Sequence, residues 1–477
     1  MNLNLLAPEL SLGVTAVAVI LLDLFLGRKW PLVLVSIVGL AVAAAFSAAM
    51  WGGEATNAFH NMLVVDSFSL FFKLLLLGIA ALVILASVDY VSRFTERQGE
   101  YYALILLSTG GMMLLASARE LITIFISIEL TGIPLYVLAG FLKDPKSSEA
   151  SLKYLLVGAI SSAVSLYGMA MVFGLTGTTF LDEIREAIPT GRAFDNPALL
   201  LGIVFMIAGF GFKIAAFPFG LVVPDVYEGS PTTVAAFLSV AKKAAGLAVI
   251  LRVFNVALGA PLGISLDWAA MFAVLSAISM TFGNLVAIAQ TNIKRMLGYS
   301  SIAQAGYLMV GLATVTALGR DAVIFFMASY ALTNVAAFIA ITAISHRIDS
   351  DLISDYTGIA RRAPLLALAL AFCLISLTGI PVTAGFVSKV YIFNAAVQNR
   401  LFWLVIVGVI NSIISAYYYL RVVKVMYIGE PVSAERLPSS WPLRIALFIP
   451  TVGVLIVGLL PSPLIQAAQT AAGVFSP

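Results

Sequence analysis

The segment that decides the fold reads Leu121-Ile-Thr-Ile-Phe-Ile-Ser-Ile-Glu129-Leu-Thr-Gly-Ile-Pro134. It is strongly apolar, yet a carboxylate, Glu129, lies in its middle, ten residues after Arg119 and fourteen before Lys143. A helix of about 20 apolar residues is long enough to cross the hydrocarbon core of a bilayer. The segment therefore predicts a membrane-spanning helix with an ionisable group near its centre.

The composition of the whole chain agrees with this interpretation. The 477 residues have a mean hydropathy of +1.04 and are 61% hydrophobic. Charged residues make up only 11%, against about 25% in soluble proteins. This composition excludes a soluble enzyme and a disordered chain. The net charge of +3 is too small to indicate nucleic-acid binding.

The single cysteine, Cys373, lies inside an apolar stretch. One thiol cannot build a disulfide framework, an iron–sulfur site or a thiolate zinc site. No segment resembles a site for nucleotide, flavin, quinone or metal. We therefore predict no cofactor or metal in this chain.

Other apolar runs repeat along the chain and are too long for the ~10-residue strands of a membrane barrel. The predicted fold class is an all-α polytopic membrane protein with fourteen helices, interrupted at Gly, Pro and charge clusters. The helices are predicted near residues 7–27, 31–51, 66–89, 101–117, 120–141, 150–175, 198–219, 230–254, 266–290, 295–314, 320–345, 363–398, 402–427 and 441–467.

The distribution of basic residues predicts the orientation. Of the 27 Lys and Arg residues, sixteen lie in odd-numbered connections or at the helix ends beside them, and six lie in or beside even-numbered ones. Cytoplasmic connections carry the excess of Lys and Arg, so both termini are predicted on the outer side. The other five basic residues lie within predicted helices: Lys73, Lys213, Lys242, Lys243 and Lys389.

Charged side chains at the middle of a membrane helix cost about 2.5–3.5 kcal/mol each and commonly mark an ion route. Glu129, Lys213, Lys243 and Lys389 fall at similar depth on four predicted helices. We interpret them as a polar row across the protein. The alternative is that each forms a structural ion pair or extends its charge to the membrane surface.

For two lysines the structural interpretation is favoured. Lys73 lies only seven residues into its predicted helix. Lys242 points about 100° away from its neighbour Lys243 on the same helix, and only one face of that helix needs to look inward.

Helix breakers accompany two of the buried lysines. Lys213 is followed by Pro218 and Pro224, and Lys389 is preceded by Thr378-Gly-Ile-Pro-Val-Thr-Ala-Gly385. The apolar run 363–398 would be roughly 54 Å long as one helix, which exceeds a bilayer. We therefore expect an interruption, which frees backbone carbonyls and amides and is tolerated only where they line a cavity or contact protein.

Three long motifs resemble the proton-conducting antiporter-like family, whose members are the large membrane subunits of respiratory complex I and of multisubunit sodium/proton antiporters. The resemblance covers about residues 60–430. The motifs are Pro224-Asp-Val-Tyr-Glu-Gly-Ser-Pro-Thr-Thr-Val-Ala-Ala-Phe-Leu-Ser239, Asn292-Ile-Lys-Arg-Met-Leu-Gly-Tyr-Ser-Ser-Ile-Ala-Gln-Ala-Gly-Tyr307 and Gly379-Ile-Pro-Val-Thr-Ala-Gly-Phe-Val-Ser-Lys389.

The resemblance implies two inverted five-helix repeats, helices 4–8 and 9–13, with helices 7 and 12 broken. Within a single membrane domain, 1–477, it implies helices 1–3 over 1–97, a first repeat over 98–258, a second over 259–430, and helix 14 with the C-terminus over 431–477. The offset of 176 residues between Lys213 and Lys389 agrees with such a repeat.

The resemblance also implies that Glu129, Lys213, Lys243 and Lys389 form the proton route, with Lys242, Lys294 and Gln304 as secondary candidates. Gln304 stands where many relatives have a histidine. A glutamine can hydrogen-bond a water chain but cannot take up a proton near neutral pH.

The implied function is that of a proton-translocating membrane subunit of NADH:quinone oxidoreductase in the cell inner membrane. FMN, iron–sulfur clusters and quinone would belong to partner subunits, and neighbouring membrane subunits of complex I would be the partners. Two alternatives stay open: a subunit of a cation/proton antiporter or membrane-bound hydrogenase relative, and a structural membrane scaffold.

Overall fold

The computed structural model describes residues 3–188, 191–259, 262–430, 435, 437–438 and 440–475. Twelve helices among these residues are long and apolar enough to cross a membrane. The helix Ile293–Leu312 and the helix pair Pro364–Thr378 and Ala384–Gln398 complete the fourteen predicted spans. The predicted all-helical membrane fold is therefore confirmed.

The spans are numbered in chain order, and spans 7 and 12 each consist of two helices, a and b. Their bounds are Ala7–Phe25 (1), Trp30–Ala49 (2), Ser67–Val91 (3), Gln98–Ser117 (4), Leu121–Ala139 (5), Pro145–Thr176 (6), Pro197–Ile214 (7a), Val223–Gly229 (7b), Thr232–Arg252 (8), Leu262–Ile288 (9), Ile293–Leu312 (10), Ala317–Ile348 (11), Pro364–Thr378 (12a), Ala384–Gln398 (12b), Phe402–Ile428 (13) and Trp441–Leu459 (14).

Several spans begin where a short polar side chain caps the first turn. Asp144 accepts a hydrogen bond from the Ser147 amide at 2.8 Å at the start of span 6, and Asn292 caps span 10 in the same way. Glu120 caps span 5 through the Thr123 amide at 2.7 Å. Such caps satisfy amides that have no partner within the helix, which fixes where each span starts.

Both expected interruptions occur. Span 7a ends at Ile214, and the next residue, Ala215, adopts a left-handed conformation with φ of +65°. Span 12a ends at Thr378, and Gly379 follows with φ of +90°. A Cβ at Gly379 would also come within 2.9 Å of the Lys389 side chain, so this break requires glycine both for its backbone and for the close approach.

Spans 8 and 11 form the centre of the protein. The most apolar stretch of span 8 is buried along its whole length, and that of span 11 is 94% buried. In spans 1, 6, 13 and 14, only about one-third of the corresponding stretch is buried. The central spans therefore lie away from lipid. Lys242, Lys243 and Arg252 are all on span 8.

The structure departs from the sequence-based expectations in three places. A short antiparallel hairpin, Thr56–Ala58 with Leu63–Val65, lies between spans 2 and 3. Span 14 ends at Leu459 instead of continuing to residue 467, and a separate helix, Ser462–Ala472, follows, because Pro461 and Pro463 cannot continue the hydrogen-bond ladder. Arg252 lies at the end of the predicted helix 230–254 and is one of the six basic residues assigned to even-numbered connections, but it is buried in the last turn of span 8.

Candidate functional site

Lys213 lies in the last turn of span 7a, directly before the break. Its side chain is buried, and its Nζ lies 5.4 Å from the centroid of the Phe212 ring. Among the described residues, no carboxylate oxygen lies within 4.0 Å of this ammonium. Span 8 approaches closely because Gly246 has no side chain; a Cβ there would lie 2.8 Å from the Cβ of Lys213.

Glu129 lies on span 5 and is half-buried. Its Oε1 atom is buried, and no described residue donates a hydrogen bond to it. A cavity of about 10 Å³, called cavity A, lies between span 5 and Lys213, with Tyr136, Tyr154 and Lys242 in its lining. Glu129 and Lys213 are therefore not joined by a salt bridge in this structure.

Lys242 and Lys243 both contribute to one cavity, although they are neighbours in the chain. Cavity B, also about 10 Å³, is lined by Tyr154, Lys213, Lys242, Lys243 and part of span 7b. Both lysines can line one cavity because long flexible side chains converge from Cα atoms about 100° apart on a helix.

The ammonium of Lys243 is anchored on span 10. Its Nζ donates hydrogen bonds to the backbone carbonyl of Ser301 at 2.6 Å and to the Ser301 hydroxyl at 2.8 Å. The same hydroxyl lies 3.3 Å from the Tyr227 hydroxyl and 3.4 Å from that of Tyr330. Lys243 Nζ is also 5.0 Å from the centroid of the Tyr330 ring.

Lys389, on span 12b, points back to the break in its own span. Its Nζ donates to the carbonyls of Thr378 at 2.8 Å and Leu377 at 3.2 Å. These carbonyls belong to the last turn of span 12a, where the interruption frees them from the helical ladder. Gln304 Nε2 donates to the same Leu377 carbonyl at 3.3 Å, and Lys389 Nζ lies 4.6 Å from the Tyr307 ring centroid.

A third cavity, cavity C, encloses this group. It has a volume of about 10 Å³, and its lining includes Gln304, Tyr330, Ser376 and Lys389. Tyr330 therefore contacts both the Lys243 ammonium and cavity C. The three cavities follow one another from span 5 to span 12, and each is lined by at least one buried lysine.

The remaining lysine candidates lie elsewhere. Lys294, at the start of span 10, is 3.0 Å from a carboxylate oxygen of Asp351 and donates to the Ser230 carbonyl. It does not line cavities A to C. Lys73 Nζ is buried 2.7 Å from an oxygen of Glu9, which confirms the structural ion pair expected for it.

Sequence reasoning did not identify the uncharged members of the site. Four uncharged residues line the cavities or contact the lysines: Tyr154, Tyr227, Ser301 and Tyr330. Polar uncharged residues are common in membrane helices, and these four have no distinctive spacing in the sequence. Only Tyr227 and Ser301 fall within the quoted motifs. Their role is visible only once the spans are packed together.

A family model of known proteins covers the part of the chain that contains this site. The family model described as "NADH:quinone oxidoreductase/Mrp antiporter, TM" matches residues 118–415. That range includes Glu129, Lys213, Lys242, Lys243 and Lys389.

Individual relatives match over nearly the whole chain. NADH-quinone oxidoreductase subunit N of Dehalococcoides mccartyi is 45% identical, covering 98% of this chain and 99% of the relative. Subunit N of Moorella thermoacetica is 43% identical, covering 99% of both chains.

Two solved structures extend the likeness. A chain of respiratory complex I from Thermus thermophilus is 33% identical, with a TM-score of 0.82 over 97% of this chain and 99% of that one. A chain of the Mrp complex from a Dietzia species has a TM-score of 0.88 over 100% of this chain and 98% of that one. At 21% identity, the second likeness concerns the fold alone.

Proposed function

Because the chain belongs to the NADH:quinone oxidoreductase/Mrp antiporter transmembrane family, and within it to the subunit N group, we propose that it moves protons across a membrane. It does so as one subunit of an NADH:quinone oxidoreductase. The observation that carries this proposal is the row of cavities A, B and C, lined by buried lysines without carboxylate partners among the described residues.

The chemistry of lysine supports a proton as the transported ion. A buried ammonium without a carboxylate is costly, and the cost disappears when it releases a proton and becomes a neutral amine. Lysine can make this change, whereas arginine stays protonated. A row of such groups can therefore pass protons along without binding any other cation.

The gate of the route is the Glu129–Lys213 pair. When the carboxylate approaches, it stabilises the charged lysine, and when it withdraws, burial favours loss of the proton. The open arrangement in this structure corresponds to the second condition. The proton then passes by way of Lys243 to Lys389, which discharges it on the outer side.

Electron transfer takes place outside this chain. FMN, iron–sulfur clusters and quinone are held by partner subunits, and the membrane subunits of complex I are the direct neighbours. Glu129 lies half-buried beside the exposed side chains of Ile126, Leu130 and Ile133 on span 5. A carboxylate on such a face fits contact with a neighbouring membrane subunit whose charge it senses.

The proposed location is the cell inner membrane. Both termini lie on its outer side, because the odd-numbered connections carry most of the Lys and Arg residues. The proposed division into repeats, spans 4–8 and 9–13, is supported by the five-span offset between the broken spans 7 and 12, each of which carries one buried lysine.

The test replaces Lys389 by Met in membrane vesicles that contain the complete complex. Because Met fills a similar volume but cannot carry a proton, NADH-driven proton uptake is expected to fall about tenfold. Lys424→Met, at an exposed position of span 13, is the matched control and should pump normally. Full pumping by Lys389→Met, with assembly intact, would favour the structural scaffold.

A second candidate function is that of an antiporter subunit, because the description of the matching family model also names the Mrp antiporter. The two functions differ in their partners. Purification of the solubilised complex through a tag on this chain should recover flavin and iron–sulfur subunits. Recovery of small membrane subunits alone would point to the antiporter.

A further inference from the structure

Lys242 lies where cavities A and B meet. It lines cavity A together with Lys213 and lines cavity B together with Lys213 and Lys243. Lys243 lines only cavity B of these two. Lys242 therefore shares a cavity with both the proton donor proposed before it, Lys213, and the acceptor proposed after it, Lys243.

The ammonium of Lys242 is held by aromatic faces instead of anions. Its Nζ lies 3.9 Å from the centroid of the Phe212 ring and 4.6 Å from that of the Tyr154 ring. Within the described part of the chain, no carboxylate oxygen lies within 4.0 Å of it and no hydrogen-bond acceptor is in range. An aromatic face stabilises a buried cation less than a paired carboxylate does, so it opposes loss of the proton less than a salt bridge would.

Lys242 and Lys243 also differ in how firmly their amines are held. Lys243 makes two hydrogen bonds to Ser301, whereas Lys242 makes none with the described residues. The side chain of Lys242 is nonetheless buried. No hydrogen bond to a described residue therefore ties its amine to either cavity, and burial shields that amine from bulk water.

We infer that Lys242 is itself a proton-exchanging residue, which accepts the proton from Lys213 and passes it to Lys243. This inference rests on the proposed function and adds a step to it. An N–H bond breaks at Lys213 Nζ and one forms at Lys242 Nζ, directly or across a water molecule in the shared cavity. The same exchange then occurs with Lys243, so the total charge of the row is conserved.

The competing role for Lys242 is that of a fixed cation that packs between two rings. Arginine separates the two roles, because it stacks on aromatic faces and keeps its charge but does not release its proton. Methionine removes the charge and keeps most of the volume. Histidine restores a titratable group with an ordinary pKa of about 6.5.

The experiment measures NADH-driven proton uptake by vesicles containing the complete complex with Lys242→Met, Lys242→Arg or Lys242→His. The Met and Arg variants should each lose about tenfold in pumping. The His variant should regain part of it, with an optimum at lower pH than the parent. The other titratable groups lining cavities A and B are Tyr136, Tyr154, Lys213, Tyr227 and Lys243, and they are unchanged in all three variants.

Normal pumping by Lys242→Arg would overturn the inference, because a fixed charge would then suffice. Normal pumping by Lys242→Met would overturn it as well. Assembly is followed by the amount of complex in the membrane, and the Arg and His variants keep the test valid if Met does not assemble. Lys213→Met in parallel separates the two proposals: a pumping Lys213→Met variant refutes the proton row, whereas pumping Lys242 variants beside an inactive Lys213→Met refute only this step.

Discussion

Replacement of Lys213 by Ala is expected to abolish proton pumping coupled to electron transfer. Lys213 lines both cavity A and cavity B and lies next to the break in span 7. Without its amine, no group at this position can exchange a proton with the Glu129 side of the row. Pumping is measured as NADH-driven acidification inside reconstituted vesicles, relative to the rate of NADH oxidation.

The control for Lys213→Ala separates the loss of the amine from the loss of packing. Loss of a large buried side chain by itself destabilises a protein by about 2–5 kcal/mol, so Lys213→Met serves as the variant that keeps the volume. Both variants should fail to pump, and Lys213→Met should assemble at the parental level. Undiminished pumping in either one would refute the relay.

Replacement of Arg252 by Leu is expected to cause the largest loss of stability. The Arg252 guanidinium donates to both carboxylate oxygens of Asp66, at 2.9 and 3.0 Å, and to the Ala116 carbonyl at 3.0 Å. Both side chains of this pair are at most 5% exposed. Removal of the cation leaves a buried, unpaired carboxylate, which costs about 3–5 kcal/mol. The midpoint of thermal unfolding of the solubilised protein measures the effect.

The double variant Asp66→Asn/Arg252→Leu is the matched control. It removes both charges, and Asn can still cap span 3, where Asp66 accepts a hydrogen bond from the Ser69 amide. Because no buried charge is left unpaired, most of the lost stability should return. If the single and double variants are equally unstable, the cost comes from packing and not from the orphaned carboxylate.

Some features of the site were predictable because they depend on local composition. Glu129, Lys213 and Lys389 stand out as charges within long apolar runs, and the Gly and Pro residues around position 380 indicate a break in span 12. The structure has that break, and two carbonyls at the end of span 12a accept hydrogen bonds from Lys389. Local sequence was sufficient here because Lys389 and its acceptors lie only eleven and twelve residues apart.

Other features were not predictable from local composition. Lys242 was expected to pack as a structural residue, yet it lines two cavities. The Ser301 anchor of Lys243 lies 58 residues away in the chain. The aromatic rings beside Lys242 come from spans 6 and 7a. Such contacts depend on how each helix is rotated about its axis and against which neighbours it packs, which the apolar pattern of a single helix does not specify.

The amino-acid sequence alone determined the membrane fold, the number of spans, the interrupted helices and the identity of the buried charges. In lipid, every backbone polar group must find its hydrogen-bond partner within the protein. A sufficiently long apolar segment is therefore nearly always a membrane-spanning helix. Tertiary packing decided that the Glu129–Lys213 pair is open, that Lys242 joins cavities A and B, and that Arg252 is buried with Asp66. These outcomes depend on distances of a few ångströms between spans that are remote in sequence, and only the packed helices set such distances.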